Sequence, residues 1–146
     1  TGLFTVLVEA DDMNDPIADA VRSILDGHIV LTRELATQNH YPAIDVLESV
    51  SRLTRDLLDQ NQLAVTAAAR EHMATYRKNQ DLINIGAYSA GSSAPIDHAI
   101  ALHDPIKRFL RQGVTEGFNA AQSWQLLSQT LSSTKPVPPQ PAKSVR

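Results

Sequence analysis

Residues 3–8 read LFTVLV, a nearly continuous apolar and β-rich run of the kind found in strands buried inside a parallel sheet. The pattern then turns polar in EADDMNDP, where Asp11, Asp12, Asn14 and Asp15 form a turn-like cluster. Asp15 is placed to cap a helix and Pro16 suits its first position. Ile17, Ala20, Val21, Ile24 and Leu25 recur at three-four spacing, which predicts an amphipathic helix that Asp26-Gly27 ends. Next the period changes. Residues 28–31 (HIVL) are short and β-branched, and Thr32 can cap a following helix of about two turns whose N3 residue is Leu35. Strand, helix, strand, helix is an α/β order.

The second half has a different pattern. In residues 41–53 (YPAIDVLESVSRL) the apolar positions are too irregular for one element, so this stretch is expected to be mostly loop. After Arg55, Leu57, Leu58, Leu63, Val65, Ala67, Ala68, Ala69, Met73 and Tyr76 have helical composition, and no proline intervenes before Gly86. One long helix, continuous or broken, is expected there. GAYSAGSSAP is a loop by its glycines and serines. Pro95 then opens a helix with Ile96, Ala99, Ile100, His103, Ile106 and Leu110 on one face, a kink near His103 caused by Pro105, and an end at Gly113. A further helix over 119–131 carries Ala120, Trp124, Leu127 and Leu131 on one stripe. The remainder, rich in proline and poor in bulky apolar residues, reads as an extended tail. The fold class is therefore α/β followed by all-α, with boundaries at 1–54, 55–132 and 133–146.

Composition narrows the chemistry. The 146 residues, 42% hydrophobic and 20% charged, suit one domain, or one small domain joined to part of another. The absence of cysteine removes disulfides, thiolate metal sites and cysteine nucleophiles. No apolar run approaches the roughly 20 residues of a membrane span, and no basic patch leads into an apolar leader. A net charge of -3 argues against a broad phosphate-binding face, so nucleic acid is not an expected partner. Asp11, Asp12 and Asp15 lack the ligand spacing of an EF-hand loop, and acidic residues at a helix N-terminus are the simpler reading. Histidines 28, 40, 72, 98 and 103 do not follow a zinc spacing. There is no Gly-x-Ser-x-Gly elbow and no phosphate-cradling P-loop. Composition and spacing by themselves leave the function open.

Three stretches taken together carry a resemblance: TVLVEADDMNDPIADAVRSILDGHIVLTRELA, HYPAIDVLESVSR and DLINIGAY. In order and without a large gap over residues 3–113, they resemble the C-terminal part of the type III export ATPases, the flagellar enzyme and its injectisome relatives. These are similar to the catalytic subunit of rotary ATP synthases. DLINIGAY, followed by GSS and RFLRQG, is more similar to the flagellar branch. The resemblance implies the C-terminal part of a RecA-like nucleotide-binding domain over 1–54, a C-terminal helical domain over 55–132, and a proline-rich tail with no counterpart. It further implies a cytoplasmic enzyme, peripheral at the inner-membrane export apparatus. As a homohexamer it would use ATP and Mg2+ to drive flagellar protein export. The Walker A loop, the water-orienting glutamate and the Walker B aspartate would precede Thr1, so this segment should not hydrolyse ATP alone.

Residue by residue, Tyr41 in HYPAIDVL matches the aromatic that stacks on adenine, a role suited to a π face; otherwise it begins a turn with Pro42. Arg52 in SVSR matches the arginine finger offered to a neighbouring subunit's nucleotide, where its planar fork would neutralise charge on the γ-phosphate; otherwise it is a surface ion-pair residue. Phe109 and Gln112 fall in the segment resembling the loop over the adenine pocket. Asp12, Asn14 and Asp15 fall in the segment resembling the loop that meets the central stalk in rotary ATPases, which implies polar contacts with a rotor-like coiled coil. Residues 87–94 resemble the loop directed at the stalk and export gate, without the acidic cluster of ATP synthase. A stator-type regulator, export substrates and their chaperones are the further partners implied. The rival readings are an injectisome ATPase and a non-catalytic helical adaptor.

Overall fold

The computed structural model describes residues 2–8 and 16–133, except for the Ile17 side chain. They divide into two compact units, 1–57 and 58–146. The first contains α1 (Pro16–Ile24), β1 (Gly27–Leu31), α2 (Arg33–Thr37), β2 (Ile44–Ser51) and the single turn α3 (Thr54–Leu57). The second contains α4 (Gln60–Asn84), α5 (Ala94–Phe109) and α6 (Ala120–Ser132).

In the first unit β1 and β2 pair antiparallel, Gly27 facing Ser51 and Leu31 facing Ile44. Two expectations are corrected here. Residues 3–8 form no strand: Leu3 is 95% exposed, and among the described residues the sheet has only the strands β1 and β2. A β-rich sequence supplies side chains for a sheet but cannot supply the ladder partner, and among the described residues none is paired to it. Residues 44–51, expected as loop, form β2. Their irregular pattern has a local cause. The register slips between His28 and Val30, because β2 carries extra residues between Asp45 and Val50. Side chains fill the ladder there. The Asp45 carboxylate accepts the Leu47 and Glu48 N–H groups at 2.9 and 3.1 Å. Ser49 Oγ accepts the Val30 N–H at 3.0 Å and donates to the Asp45 carbonyl at 2.6 Å. A bulge of this kind moves side chains off strict alternation. Gly27 is required at the other end of the pairing: a Cβ there would lie 2.7 Å from the Val50 carbonyl oxygen. Ala18, Val30 and His40 are buried in this unit.

The expected long helix is broken once. Asp59 caps α4 through a capping box, accepting the Gln62 N–H at 2.8 Å while Gln62 Oε1 accepts the Asp59 N–H at 3.1 Å. Gly86, at φ +70°, ends α4 in the left-handed region. α5 packs between α4 and α6, and its Ala99, Leu102 and Ile106 are buried. Pro105 stands inside α5, which nevertheless runs on to Phe109. It closes at Leu110, before Gly113, where the Arg111 N–H turns to the Arg108 carbonyl three residues back at 3.3 Å. α6 begins with a second capping box, between Asn119 and Gln122. The tail from residue 134, and with it the extended conformation expected there, lies outside the described residues.

Candidate functional site

Tyr41 and Arg52 stand at opposite ends of one ribbon. The pairing places Ile44 opposite Leu31 and Ser51 opposite Gly27, four residue steps or about 13 Å of strand. Tyr41 is carried on the connection from α2 to β2. Thr32 caps α2, its hydroxyl accepting the Leu35 N–H at 3.3 Å. After the helix Asn39 takes a left-handed φ of 55°, which asparagine tolerates. The His40 N–H then returns to the Leu35 carbonyl at 2.9 Å, and the Thr32 N–H reaches the Ala43 carbonyl at 2.9 Å. With the connection fixed on both sides and His40 buried, Tyr41 projects at 53% exposure. An exposed ring on an anchored backbone can receive a flat, apolar ligand face.

Arg52 follows β2 directly. Its N–H donates to the Asp26 carbonyl at 2.8 Å, continuing the β1–β2 pairing by one residue. Its guanidinium crosses to the end of α1, where Nη2 donates to the Arg22 and Ser23 carbonyls at 3.3 Å each. Arg52 is exposed and its contacts are main-chain carbonyls, so the group presents a permanent positive charge at the edge of the unit. Residue identity marks Arg52 itself but not these partners, because acceptors in the main chain leave no trace in it.

Phe109 and Gln112 lie in the second unit. Phe109, partly exposed, ends α5, and Gln112 is exposed with Nε2 donating to the Glu116 carbonyl at 2.6 Å. Asp12, Asn14 and Asp15 lie outside the described residues. Among the described residues there is no group of three or more His, Cys, Asp or Glu side chains able to hold a metal ion.

The α4–α5 loop holds an arrangement that sequence reading missed. The Asp97 carboxylate accepts the Tyr88 hydroxyl at 2.9 Å and the Gly91 N–H at 3.0 and 3.1 Å. The Ser93 N–H donates to the same tyrosine oxygen at 3.2 Å. One carboxylate thus organises residues 88–93. Farther along, His103 stacks on Tyr76 with ring centroids 3.6 Å apart and planes inclined by 12°. Burial pushes the His103 imidazole below its ordinary 6.5, Lys107 adding to the shift and Asp104 opposing it. His72 is lowered too, first by burial, with His98 adding and Glu71 opposing.

Residues 1–51 match the nucleotide-binding domain of the ATP synthase alpha/beta family, and residues 58–129 match the T3SS EscN ATPase C-terminal domain. The chain belongs to the type III export ATPases. It is 51% identical over 116 residues to the flagellum-specific ATP synthase of Treponema pallidum, covering 80% of this chain and 26% of that one. It is 47% identical, over the same shares, to the type 3 secretion system ATPase of Pseudomonas syringae pv. tomato. Among solved structures, assembled EscN from the type III secretion system of enteropathogenic E. coli superimposes with a TM-score of 0.82 at 41% identity, over 86% of this chain and 31% of EscN. EscN in complex with its central stalk EscO gives 0.74 at 40% identity, over 80% and 29%. The chain spans about a quarter of the length of the curated relatives it matches. Its fold is that of part of a RecA-like domain followed by a helical C-terminal domain. No helix among the described residues is long and apolar enough to cross a membrane.

Proposed function

We propose that this chain works as part of a flagellar type III export ATPase, a homohexamer that hydrolyses ATP with Mg2+ to energise protein export. The observation that carries the reading is Arg52: an exposed guanidinium anchored by its own backbone at the end of β2, in a chain of this family. Arg52 is the arginine finger in this reading. It reaches the γ-phosphate bound by a neighbouring subunit and neutralises the charge that spreads over the oxygens as the bond breaks. Tyr41 stacks on adenine, and Phe109 and Gln112 are assigned to nucleotide binding. Asp12, Asn14 and Asp15 are assigned to the central stalk, a partner supported by the complex of EscN with EscO. Mg2+ would be held by residues outside those described here, and it would shield the β- and γ-phosphates. A stator-type regulator, the export gate, and export substrates with their chaperones complete the expected partners. The enzyme is placed in the cytoplasm, peripheral at the inner-membrane export apparatus.

The test replaces Arg52 in the full-length ATPase. Arg52→Ala should lower turnover by ~10³ or more while nucleotide affinity changes little, because the finger acts mainly in the transition state. Arg52→Lys should rescue poorly, since it keeps the charge and loses the fork. Turnover at the wild-type rate in Arg52→Ala removes the residue from the catalytic role. The second reading, an injectisome ATPase, draws on the superposition with EscN. Restoration of swimming in a strain deleted for its own flagellar ATPase supports the flagellar reading, and restoration of effector secretion alone supports the other.

A further inference from the structure

We propose that the C-terminus of α1 is a resting dock for the Arg52 guanidinium, and that release from it arms the finger. The inference rests on the assignment of Arg52 as the finger. The last carbonyls of a helix have no partner within it, and they carry the negative end of its dipole. Two of these carbonyls in α1, those of Arg22 and Ser23, accept the same Arg52 nitrogen at 3.3 Å each. The next carbonyl back, that of Val21, already takes the Leu25 N–H at 3.2 Å. The guanidinium thus meets main-chain carbonyls at the helix end where the field favours a cation.

The bonding of Arg52 divides into a firm part and a loose part. Its main-chain N–H is fixed to the Asp26 carbonyl at 2.8 Å, so the base of the side chain stays with the ribbon. Its tip is held by one nitrogen shared between two neutral oxygens, at the long limit of hydrogen bonding and in contact with solvent. A phosphate offers charged oxygens, which bind a guanidinium through shorter and stronger contacts, often two at once. The dock is thus strong enough to order the tip against its own subunit and weak enough to surrender it to a triphosphate. In this arrangement α1 sets how often the finger is free, and the strand end sets where it swings from.

Ser23 gives access to the dock without altering Arg52. It is exposed, and its hydroxyl donates to the Ala20 carbonyl at 2.7 Å within its own helix. Ser23→Asp adds an anion beside the dock and should hold the guanidinium in place. Ser23→Lys adds a competing cation and should displace it, and Ser23→Ala is the reference. In the full-length ATPase, single-turnover hydrolysis should fall about two- to fivefold in Ser23→Asp and rise in Ser23→Lys, as expected of one exposed charge pair. Nucleotide affinity should be unchanged. In nucleotide-free protein, nitrogen relaxation of the Arg52 side chain, assigned by the signal lost in Arg52→Lys, should show a more ordered guanidinium with aspartate and a freer one with lysine.

A helix cap without a role in hydrolysis would shift stability in the two variants and leave hydrolysis at the Ser23→Ala rate. That result overturns the dock, as does a change of the same sign in both variants. If Ser23→Asp fails to assemble, the Ser23→Lys rate and the side-chain relaxation decide alone. Arg52→Ala separates the two levels. Wild-type turnover in that variant removes the finger and the dock together, whereas lost turnover with Ser23 variants equal to Ser23→Ala removes only the dock.

Discussion

Replacing Leu102 with alanine should cost the helical unit a large share of its stability. Leu102 is 4% exposed on α5, the helix that packs against both α4 and α6. The substitution deletes three carbons, worth about 0.8 kcal/mol each in lost burial. The space left behind adds a cavity term, since Ala99 and Ile106 on the same buried face belong to a rigid helix that closes the gap only in part. A loss of about 3 kcal/mol is expected, within the range of about 2–5 measured for buried leucines. A helical unit of this size holds about 4–11 kcal/mol in total, so the variant should fold and then melt early. Trp124, the one tryptophan, lies on α6 and reports the packing of that helix. Urea titration followed by its fluorescence should show the midpoint falling by about 3 M at an m-value of about 1 kcal/mol/M. Val114→Ala, at a side chain 105% exposed, should stay within about 0.5 kcal/mol of the parent. A loss below about 1 kcal/mol for Leu102→Ala, or one equal to that of Val114→Ala, would refute the packing of α5 at the centre of the unit.

The remaining predictions concern acid, one glycine and one carboxylate. Burial lowers the folded-state values of His72 and His103, so the neutral rings favour the fold. Their contribution should be complete above pH 6.5 and be lost as pH falls through the lowered values. Urea midpoints that do not fall between neutral and mildly acid pH, or that fall equally in a His72→Gln, His103→Gln double variant, contradict this. Gly27→Ala should break the ribbon at its first pair, because the new Cβ meets the Val50 carbonyl, at a cost of about 1–3 kcal/mol. Unaltered amide exchange at Arg52 and Val30 would show that the strands had absorbed the methyl. Asp97→Ala should speed hydrogen exchange at the Gly91 amide about fivefold or more, the scale of one lost hydrogen bond of about 1 kcal/mol. Unchanged protection there would mean that the loop is ordered by other contacts.

The elements legible in the sequence were those whose signals are local. Thr32 caps α2 because a hydroxyl reaches its own helix three residues on, and Pro95 and the three-four spacing of Ala99, His103 and Ile106 mark α5 without reference to any other part of the chain. The family was legible too, carried by long ordered stretches such as TVLVEADDMNDP and HYPAIDVL. What required the tertiary structure were features that depend on a partner remote in sequence. β2 looked like loop because Asp45 and Ser49 take over ladder bonds with their side chains, and only the register with β1 reveals a bulged strand. Residues 3–8 looked like a strand because their side chains suit one, yet pairing is a property of two segments. Arg52 was identifiable by its neighbours in the sequence, whereas its bonds to the Arg22 and Ser23 carbonyls, thirty and twenty-nine residues away, were not. A main-chain carbonyl is the same in every residue, and folding alone decides which side chain it meets.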